Sequence, residues 1–437
     1  MIKVITGNKV ASAQPLSPID LIYKDIYSII AFVYDYELQE DSIYDGLMRS
    51  LDINTYVGGR LSGARTQSPI IHGNNKGVVF SSCKYDSIIP EYSSENLIKS
   101  NDKAEKYLLE CPADSLDENT PLVQIKLSNY INGSVLCVSF CHALCDASIF
   151  SFLRDWSRMC RNIAVSSPEN DRNLLSKIYE KYTTNNPVDN VEEPVFESCT
   201  SKMKKVGFGA FEVEGRYIDD TYEKLIHGSD NQEFFSRQDF VVAYILKNLF
   251  ACIDLKETEY SVGMIMDIRK LMGLPASYFG NAVASMDIIK RGEFFRDESL
   301  LSIAKYVRKT INNHDLDKAF GGLRATINNL KNNGDKDKDK EQAEDKFLDN
   351  KICINNYTKL PIYDVDFGEG APVWAESLTA ITVPGMTRGR SVIAWPSSST
   401  DGGVVYHVIL PMDELLKLKD RLPVKGSIGE FKNFKSP

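Results

Sequence analysis

Residues 134–147 read SVLCVSFCHALCDA, and this stretch divides into an apolar first part and a mixed second part. The first part, 134–140, is almost wholly apolar, which is typical of a central β-strand covered on both faces. The preceding run at 122–129 alternates apolar and polar residues, as a half-buried strand does, and Asn132-Gly133 between the two is typical of a tight hairpin turn. The sequence therefore predicts two antiparallel strands that end at the second part of the stretch.

His142 lies where this strand ends and a helix is predicted to begin. Asp146 is a good helix N-cap, and the apolar residues after it recur on one helical face: Ile149, Phe152, Leu153 and Trp156. A neutral imidazole, with an ordinary pKa of about 6.5, can take a proton from a hydroxyl or an amine. From these residues alone, a structural histidine and a catalytic base are about equally favoured.

The composition favours an ordinary globular protein of 437 residues, large enough for two domains. Its formal charge of −9 and isoelectric point near 5.3 disfavour nucleic acid as a partner. No apolar run is long enough to cross a bilayer, and the N-terminus lacks the apolar segment of a secretion signal. We therefore expect a cytoplasmic protein without a membrane partner.

The nine cysteines show no spacing typical of a disulfide framework, which suits a reducing compartment. The group Cys137, Cys141 and Cys145 could suggest zinc, but no second cluster of Cys and His completes such a site. We predict no metal.

Two domains are predicted from the changes in polarity along the chain. The first covers 1–185, a polar, turn-rich crossover linker covers 186–215, and the second domain covers 216–437. The run at 331–350 is dominated by Lys, Asp, Glu and Asn and is predicted to be a mobile insertion. Further elements are predicted as a helix at 237–252 and strands at 260–266, 379–384, 391–395 and 403–410.

A family resemblance rests on two motifs and on several shorter blocks. The segment 142–147 resembles the His-x-x-x-Asp-Gly signature of the BAHD family of acyl-CoA-dependent acyltransferases, and 366–370, which reads DFGEG, resembles that family's Asp-Phe-Gly-Trp-Gly signature. Further similar blocks occur at 15–20, 267–269, 274–275, 278–281, 360–365 and 401–404. The resemblance therefore covers nearly the whole chain, in the family's order.

This resemblance implies an α/β fold of the chloramphenicol acetyltransferase-like superfamily. Two similar-sized domains, each a mixed sheet flanked by helices, would enclose a tunnel, and late segments of the second domain could cross over to the first. The implied activity moves an acyl group, with acetyl favoured, from coenzyme A to a hydroxyl or amine of a small specialised metabolite. His142 would be the general base of a ternary-complex reaction without an acyl-enzyme. The implied protein is a monomer with acetyl-CoA as co-substrate and no permanently bound cofactor.

The resemblance also implies roles for other residues. Asp146 would pair with a basic side chain and hold the loop of His142. Asp366 would form a salt bridge with Arg269, while Gly368 and Gly370 complete the second motif. Asn281 would organise the backbone near the site, with direct contact near the substrate as the alternative.

The chain departs from the family pattern at several positions. Ala147 replaces the signature glycine, and Glu369 replaces the tryptophan of the second motif. Asn355 and Tyr357 lie where the family often has Thr-Ser-Trp, so the family's hydroxyl donor to the oxyanion is missing. We expect the Asn355 amide to donate instead and Tyr357 to form part of the pocket wall.

Cationic side chains should contact the phosphates of coenzyme A. The candidates are Lys204, Lys205, Arg388 and Arg390, although a solvated surface location is the stronger interpretation for each.

Parts of the sequence also bear on three other functions. A protein kinase also uses Asp-Phe-Gly, but the required His-Arg-Asp loop is absent from the sequence. A carrier-protein-dependent condensation or acyl-transfer enzyme of the same superfamily would typically have a second histidine where Cys141 lies. A non-catalytic binding member that kept the fold is the remaining alternative.

Overall fold

The computed structural model describes residues 1–24, 26–64, 66, 68–89, 117–185, 199–202, 204–227, 234–315, 317, 319–321, 323–324, 346–377, 389–399, 401–422 and 425–430. The strands of the first half are β1 (Ile2–Ile5), β2 (Ala11–Pro15), β3 (Tyr27–Tyr34), β4 (Arg60–Ser62), β5 (Ile70–Gly73), β6 (Val78–Lys84), β7 (Val123–Tyr130) and β8 (Gly133–Cys141). Those of the second half are β9 (Thr200–Lys202), β10 (Val206–Val213), β11 (Glu259–Asp267), β12 (Val283–Arg291), β13 (Lys346–Leu348), β14 (Lys351–Asn356), β15 (Trp374–Ser377), β16 (Arg390–Pro396), β17 (Val404–Pro411) and β18 (Lys425–Glu430).

The helices are α1 (Pro18–Ile22), α2 (Glu40–Ile53), α3 (Ile149–Cys160), α4 (Asn173–Asn185), α5 (Gly215–His227), α6 (Arg237–Phe250), α7 (Arg269–Met272), α8 (Gly292–Asp297), α9 (Leu300–Asn312) and α10 (Met412–Arg421). Short 3₁₀ turns occur at Thr55–Gly58 and Ile362–Asp364.

The N-terminal half is built on a six-stranded sheet with the order β1-β6-β7-β8-β3-β15. Strand β8 lies inside it, antiparallel to β7 and β3, and all nine of its residues are buried. This burial on both faces explains the apolar run that predicts the strand. Helices α2 and α3 pack together against the sheet, and the indole of Trp156 donates to the Ile43 carbonyl at 3.1 Å.

The C-terminal half is built on a seven-stranded mixed sheet with the order β12-β11-β14-β16-β17-β10-β18. Strands β11, β14 and β16 are parallel to one another, and the other pairs are antiparallel. Helix α6 is buried at most of its positions, because it packs between this sheet and the helices α8, α9 and α10. The predicted fold, two mixed sheets flanked by helices in two domains, is confirmed.

Three segments differ from the predicted organisation. Val206–Val213 lies within the predicted linker but forms β10, because its backbone bonds both β17 and β18. Lys346–Leu348 lies within the predicted mobile insertion but pairs with Thr200–Lys202 as a two-stranded ribbon. The predicted strand at 379–384 lies outside the described residues.

Strand β15 belongs by sequence to the C-terminal half and by hydrogen bonding to the N-terminal sheet. Its residues pair with β3 at the edge of that sheet. The neighbouring Trp395 of β16 donates its indole N–H to the Ala375 carbonyl at 2.8 Å. The two halves are therefore joined by a shared strand and not only by a linker.

Besides the cores of the two sheets, an apolar cluster beside the end of β8 contains residues of both halves. It contains Ile19 of α1, Leu175 of α4, and Ile268, Met272 and Tyr278 from the second half. This packing places the segment 278–282 next to helix α1 and next to the loop that follows β8. Within the described residues, no helix has the length and apolar character needed to span a membrane.

Candidate active site

His142 is the first residue after β8, and both its backbone and its ring have partners in the protein. Its backbone N–H donates to the Ile26 carbonyl at 2.7 Å, and the Leu144 N–H turns back to the Cys141 carbonyl at 2.9 Å. The ring of Tyr23 stacks on the imidazole, with 4.4 Å between the ring centroids. Burial lowers the pKa of His142 below its ordinary value, so the ring is neutral near pH 7.

The imidazole is hydrogen-bonded to Asn281. His142 Nδ1 lies 3.1 Å from Asn281 Oδ1. The amide nitrogen of Asn281 donates to two oxygens, the backbone carbonyl of His142 at 2.8 Å and the carboxylate of Asp20 at 2.7 Å. Because both oxygens can only accept, the amide oxygen must face the ring, and the neutral ring carries its proton on Nδ1. Nε2 therefore keeps a free lone pair, which a general base needs.

Asp146 is turned into the protein and pairs with Arg269. One carboxylate oxygen is 2.7 Å from the guanidinium of Arg269, and the backbone N–H groups of Ser148 and Ala282 also donate to the carboxylate. Burial would raise the pKa of this carboxyl, but Arg269 and the backbone donors hold it below the ordinary value. Arg269 also donates to the carbonyls of Tyr278 and Gly280. The pair thus ties the loop of His142 to the segment that carries Asn281.

Asp366 pairs with Arg161, not with Arg269 as the resemblance implied. The Arg161 guanidinium lies 2.7 Å from Asp366 Oδ2, and Arg269 is already bonded within the buried group around Asp146. The other oxygen of Asp366 accepts from the N–H groups of Gly368 and Gly370. These glycines have φ of 136° and 134°, a region that residues with a side chain rarely adopt. Asp366 therefore shapes a glycine turn.

Asn355 and Tyr357 come from the C-terminal half of the chain, where Asn355 lies in β14 and Tyr357 directly follows that strand. The Asn355 amide donates to the Tyr357 hydroxyl at 2.8 Å, and the Tyr357 N–H donates to the Ala394 carbonyl. Burial raises the pKa of the Tyr357 phenol, and Asp146 and Tyr23, which flank His142, contribute in the same direction. The Tyr357 side chain also packs against the apolar cluster of the N-terminal half, which includes Cys141, Ala143 and Leu144 on either side of His142.

Two of the four cations proposed for coenzyme A, Arg390 and Lys204, form ion pairs within the protein. Arg390 is buried and forms an ion pair with Glu414, which makes it unsuitable for a phosphate. Lys204 pairs with Asp349 at 2.7 Å and is partly shielded. Lys205 is exposed near the start of β10, and Arg388 lies outside the described residues. The sequence alone could not show which of these cations form ion pairs within the protein, because their partners lie far away along the chain.

The cysteines of the His142 region are buried and reduced. Cys137, Cys141 and Cys145 have little or no exposure, and within the described residues no group of three His, Cys, Asp or Glu side chains is arranged to hold a metal.

A separate cavity of about 280 Å³ lies between α2, α3 and the segment before Asn281. Its lining includes Asn54, Phe152, Met159 and Phe279, but neither His142 nor Asn355. The cavity therefore does not include these two candidate residues.

Several residues of the site were missed by sequence reasoning. Asp20 had a local signal, since Ser17-x-x-Asp20 has the spacing of a helix capping box. Tyr23, Arg161 and Arg172 had none, because only tertiary packing brings them to the site.

The family of the chain follows from its match to a family model. The family model described as the Transferase family matches residues 6–423, nearly the whole chain. The chain belongs to the BAHD acyltransferase family. BAHD acyltransferase BIA1 of Arabidopsis thaliana is 23% identical to it over 434 residues, which cover 90% of this chain and 92% of that protein. The chain is accordingly an acyltransferase.

Solved structures of similar fold include vinorine synthase and a complex that contains coenzyme A. Vinorine synthase superposes with a TM-score of 0.70 at 18% identity, covering 99% of this chain and 98% of its own. F. graminearum TRI101 complexed with coenzyme A and deoxynivalenol has a TM-score of 0.68 at 16% identity, covering 94% and 97%. At these identities the likeness shows the fold of this BAHD acyltransferase, not its substrate.

Proposed function

We propose that this BAHD acyltransferase moves an acyl group, with acetyl favoured, from coenzyme A to a hydroxyl or amine of a small specialised metabolite. The observation that carries the proposal is the arrangement of His142. Its ring is neutral, its Nδ1–H is engaged by Asn281, and its Nε2 is free at the junction of the two halves. The binding of coenzyme A by a protein of the same fold supports the choice of acyl donor.

In the proposed reaction, Nε2 of His142 takes the proton of the acceptor hydroxyl or amine. The freed oxygen or nitrogen attacks the thioester carbonyl and forms a tetrahedral intermediate. The carbon–sulfur bond then breaks, and protonated His142 returns the proton to the leaving thiolate of coenzyme A. Both substrates are bound together, in the tunnel expected between the domains, and no acyl-enzyme forms.

The oxyanion of the intermediate needs a hydrogen-bond donor. We assign this role to the Tyr357 hydroxyl with Asn355 as its support. The Tyr357 oxygen accepts from the Asn355 amide at 2.8 Å, so the phenol's own hydrogen is left to donate elsewhere. The Asn355 amide has a second N–H, so Asn355 as the donor, with Tyr357 as part of the pocket wall, remains the alternative assignment.

The direct test uses the purified chain with acetyl-CoA and longer acyl-CoAs, a panel of alcohols and amines, and no carrier protein. Release of free coenzyme A thiol is measured together with the acylated product. We expect His142→Ala to lower kcat by about 10²- to 10⁴-fold, the range of a general base. His227→Ala is the matched control, since His227 is exposed at the end of α5 and should leave turnover unchanged.

Turnover only with an acyl group on a carrier protein would favour the condensation-type alternative. If neither donor supports transfer, the chain is a binding member of the family. Full acyl-CoA activity in His142→Ala would overturn the assignment of the base.

A further inference from the structure

We infer that Asp20 is a positioning residue for the acyl transfer, because it fixes the direction of the Asn281 amide and thereby places the His142 proton on Nδ1. The inference rests on the proposed function insofar as His142 is the base. Asp20 does not contact the imidazole itself. It acts through Asn281.

Asp20 is fully buried, and the contacts of its carboxylate with other described residues are to donor groups. Oδ1 accepts from the backbone N–H of Asn281 at 3.1 Å and from its amide nitrogen at 2.7 Å. Oδ2 accepts from the Ser17 N–H at 3.0 Å and lies 3.1 Å from the Arg172 guanidinium. A carboxylate so surrounded has one acceptor oxygen aimed at the Asn281 side chain.

The direction of the amide follows from this acceptor. An amide turned by 180° would place its oxygen against the Asp20 carboxylate and against the His142 carbonyl, two contacts between acceptors. Asp20 and the carbonyl therefore both favour the observed direction. With the amide oxygen toward the ring, Nδ1 must donate and Nε2 must be free.

Arg172 supplies the opposite charge that a buried carboxylate needs. Its guanidinium is almost completely buried, and it also donates to the Leu144 carbonyl at 2.6 Å. Leu144 lies in the loop between His142 and Asp146. Arg172 thus bonds to this loop, and Asp20 bonds to Asn281. The ion pair between them therefore fixes the position of the loop relative to Asn281.

The chain contains a matched control for Asp20. Asp239 occupies the same position in the capping box of α6, where it accepts from the Ser236 N–H at 2.6 Å and pairs with Arg308 at 2.7 Å. Both carboxylates are buried, both close a Ser-x-x-Asp box, and both have an arginine partner. The carboxylate of Asp239 has no hydrogen bond to His142, Asn281 or Asn355.

The experiment compares Asp20→Asn with Asp239→Asn. Each variant is measured for thermal stability, for kcat and KM, and for the His142 tautomer by nitrogen-15 NMR of histidine-labelled protein, assigned with His142→Gln. In Asp20→Asn the new amide can donate, so only the His142 carbonyl still favours the observed direction of the Asn281 amide, and a fraction of rings with the proton on Nε2 should appear. We expect kcat to fall about 10²-fold, as for other loss of general-base function, with KM for acyl-CoA little changed.

Asp239→Asn should lose a similar amount of thermal stability and retain both the tautomer and kcat. If Asp20→Asn keeps the proton on Nδ1 and a kcat equal to that of Asp239→Asn, the inference is wrong. If the wild-type protein turns over and Asp20→Asn behaves in this way, only the role of Asp20 is contradicted. If the wild-type protein does not turn over, the proposed function is contradicted.

The wild-type protein gives a further test if Asp20→Asn does not fold. Its neutral His142 ring should carry the proton on Nδ1 in the absence of any substrate. A neutral wild-type ring protonated on Nε2 would refute the inference without any variant.

Discussion

The aspartates of the two signature motifs both pair with an arginine at 2.7 Å, yet they lie in different surroundings. The side chains of Asp146 and Arg269 are only 4% and 10% exposed, whereas those of Asp366 and Arg161 are 28% and 29% exposed. An ion pair that is exposed to solvent contributes little to the unfolding free energy, because water screens the charges and the side chains lose conformational freedom. In the interior, the loss of one partner leaves an uncompensated charge. Equal distances therefore do not mean equal importance.

The two groups also differ in what they hold. Asp146 and Arg269 connect the loop of His142 to the segment of Asn281, so they act directly on the position of the His142 ring. Asp366 and its two glycine N–H groups organise a turn in the second half. Burial and location together predict that the first pair governs folding and turnover and that the second has a local effect.

The largest effect should come from Asp146→Asn. The change leaves the Arg269 guanidinium buried without its counter-charge, which we expect to cost about 3 kcal/mol of unfolding free energy. Turnover should fall too, because the loop of His142 loses an anchor. Urea unfolding and acyl-CoA assays check both outcomes.

The pH dependence of stability provides the control for this variant. The pKa of Asp146 is lower in the folded protein, so the stability that this carboxylate contributes is complete above the ordinary aspartate range and is lost as pH falls through the folded pKa. Asp146→Asn should lack that part of the acid dependence. A variant as stable as wild type at neutral pH would show that the buried pair is not the anchor described.

A smaller effect is expected from Asp366→Asn. Its ion pair is about one-third exposed, and we expect the substitution to lower the unfolding free energy by about 1 kcal/mol or less. The kcat should remain near that of wild type, since Asp366 has no contact with His142 or Asn281. The same urea and turnover measurements serve here, and a loss as large as that of Asp146→Asn would remove the distinction between the two motifs.

Much of the fold could be predicted from local patterns. The apolar run before His142 predicts a buried central strand, and Arg237–Phe250 shows the apolar pattern of a buried helix. The strand predicted at 403–410 is present as β17, Val404–Pro411. These predictions hold because burial and hydrogen bonding act on neighbouring residues in a regular period.

The partners in the site could not be predicted in the same way. Arg161, not Arg269, meets Asp366, and the Arg390 guanidinium is buried against Glu414. Each pair joins residues far apart in sequence, and the choice among many arginines is made by packing. The crossover of β15 has the same origin, since nothing in its four residues specifies which sheet edge they join.

The assignment of a neutral His142 as the general base is tested by the pH dependence of kcat/KM with a hydroxyl acceptor. The ring is inactive when protonated, and burial lowers its pKa below the ordinary value of about 6.5. We predict a plateau through pH 7 that extends below pH 6.5 before kcat/KM falls tenfold per pH unit, and no such fall in the residual activity of His142→Ala. An apparent pKa above 6.5, or an identical profile in His142→Ala, would contradict the account.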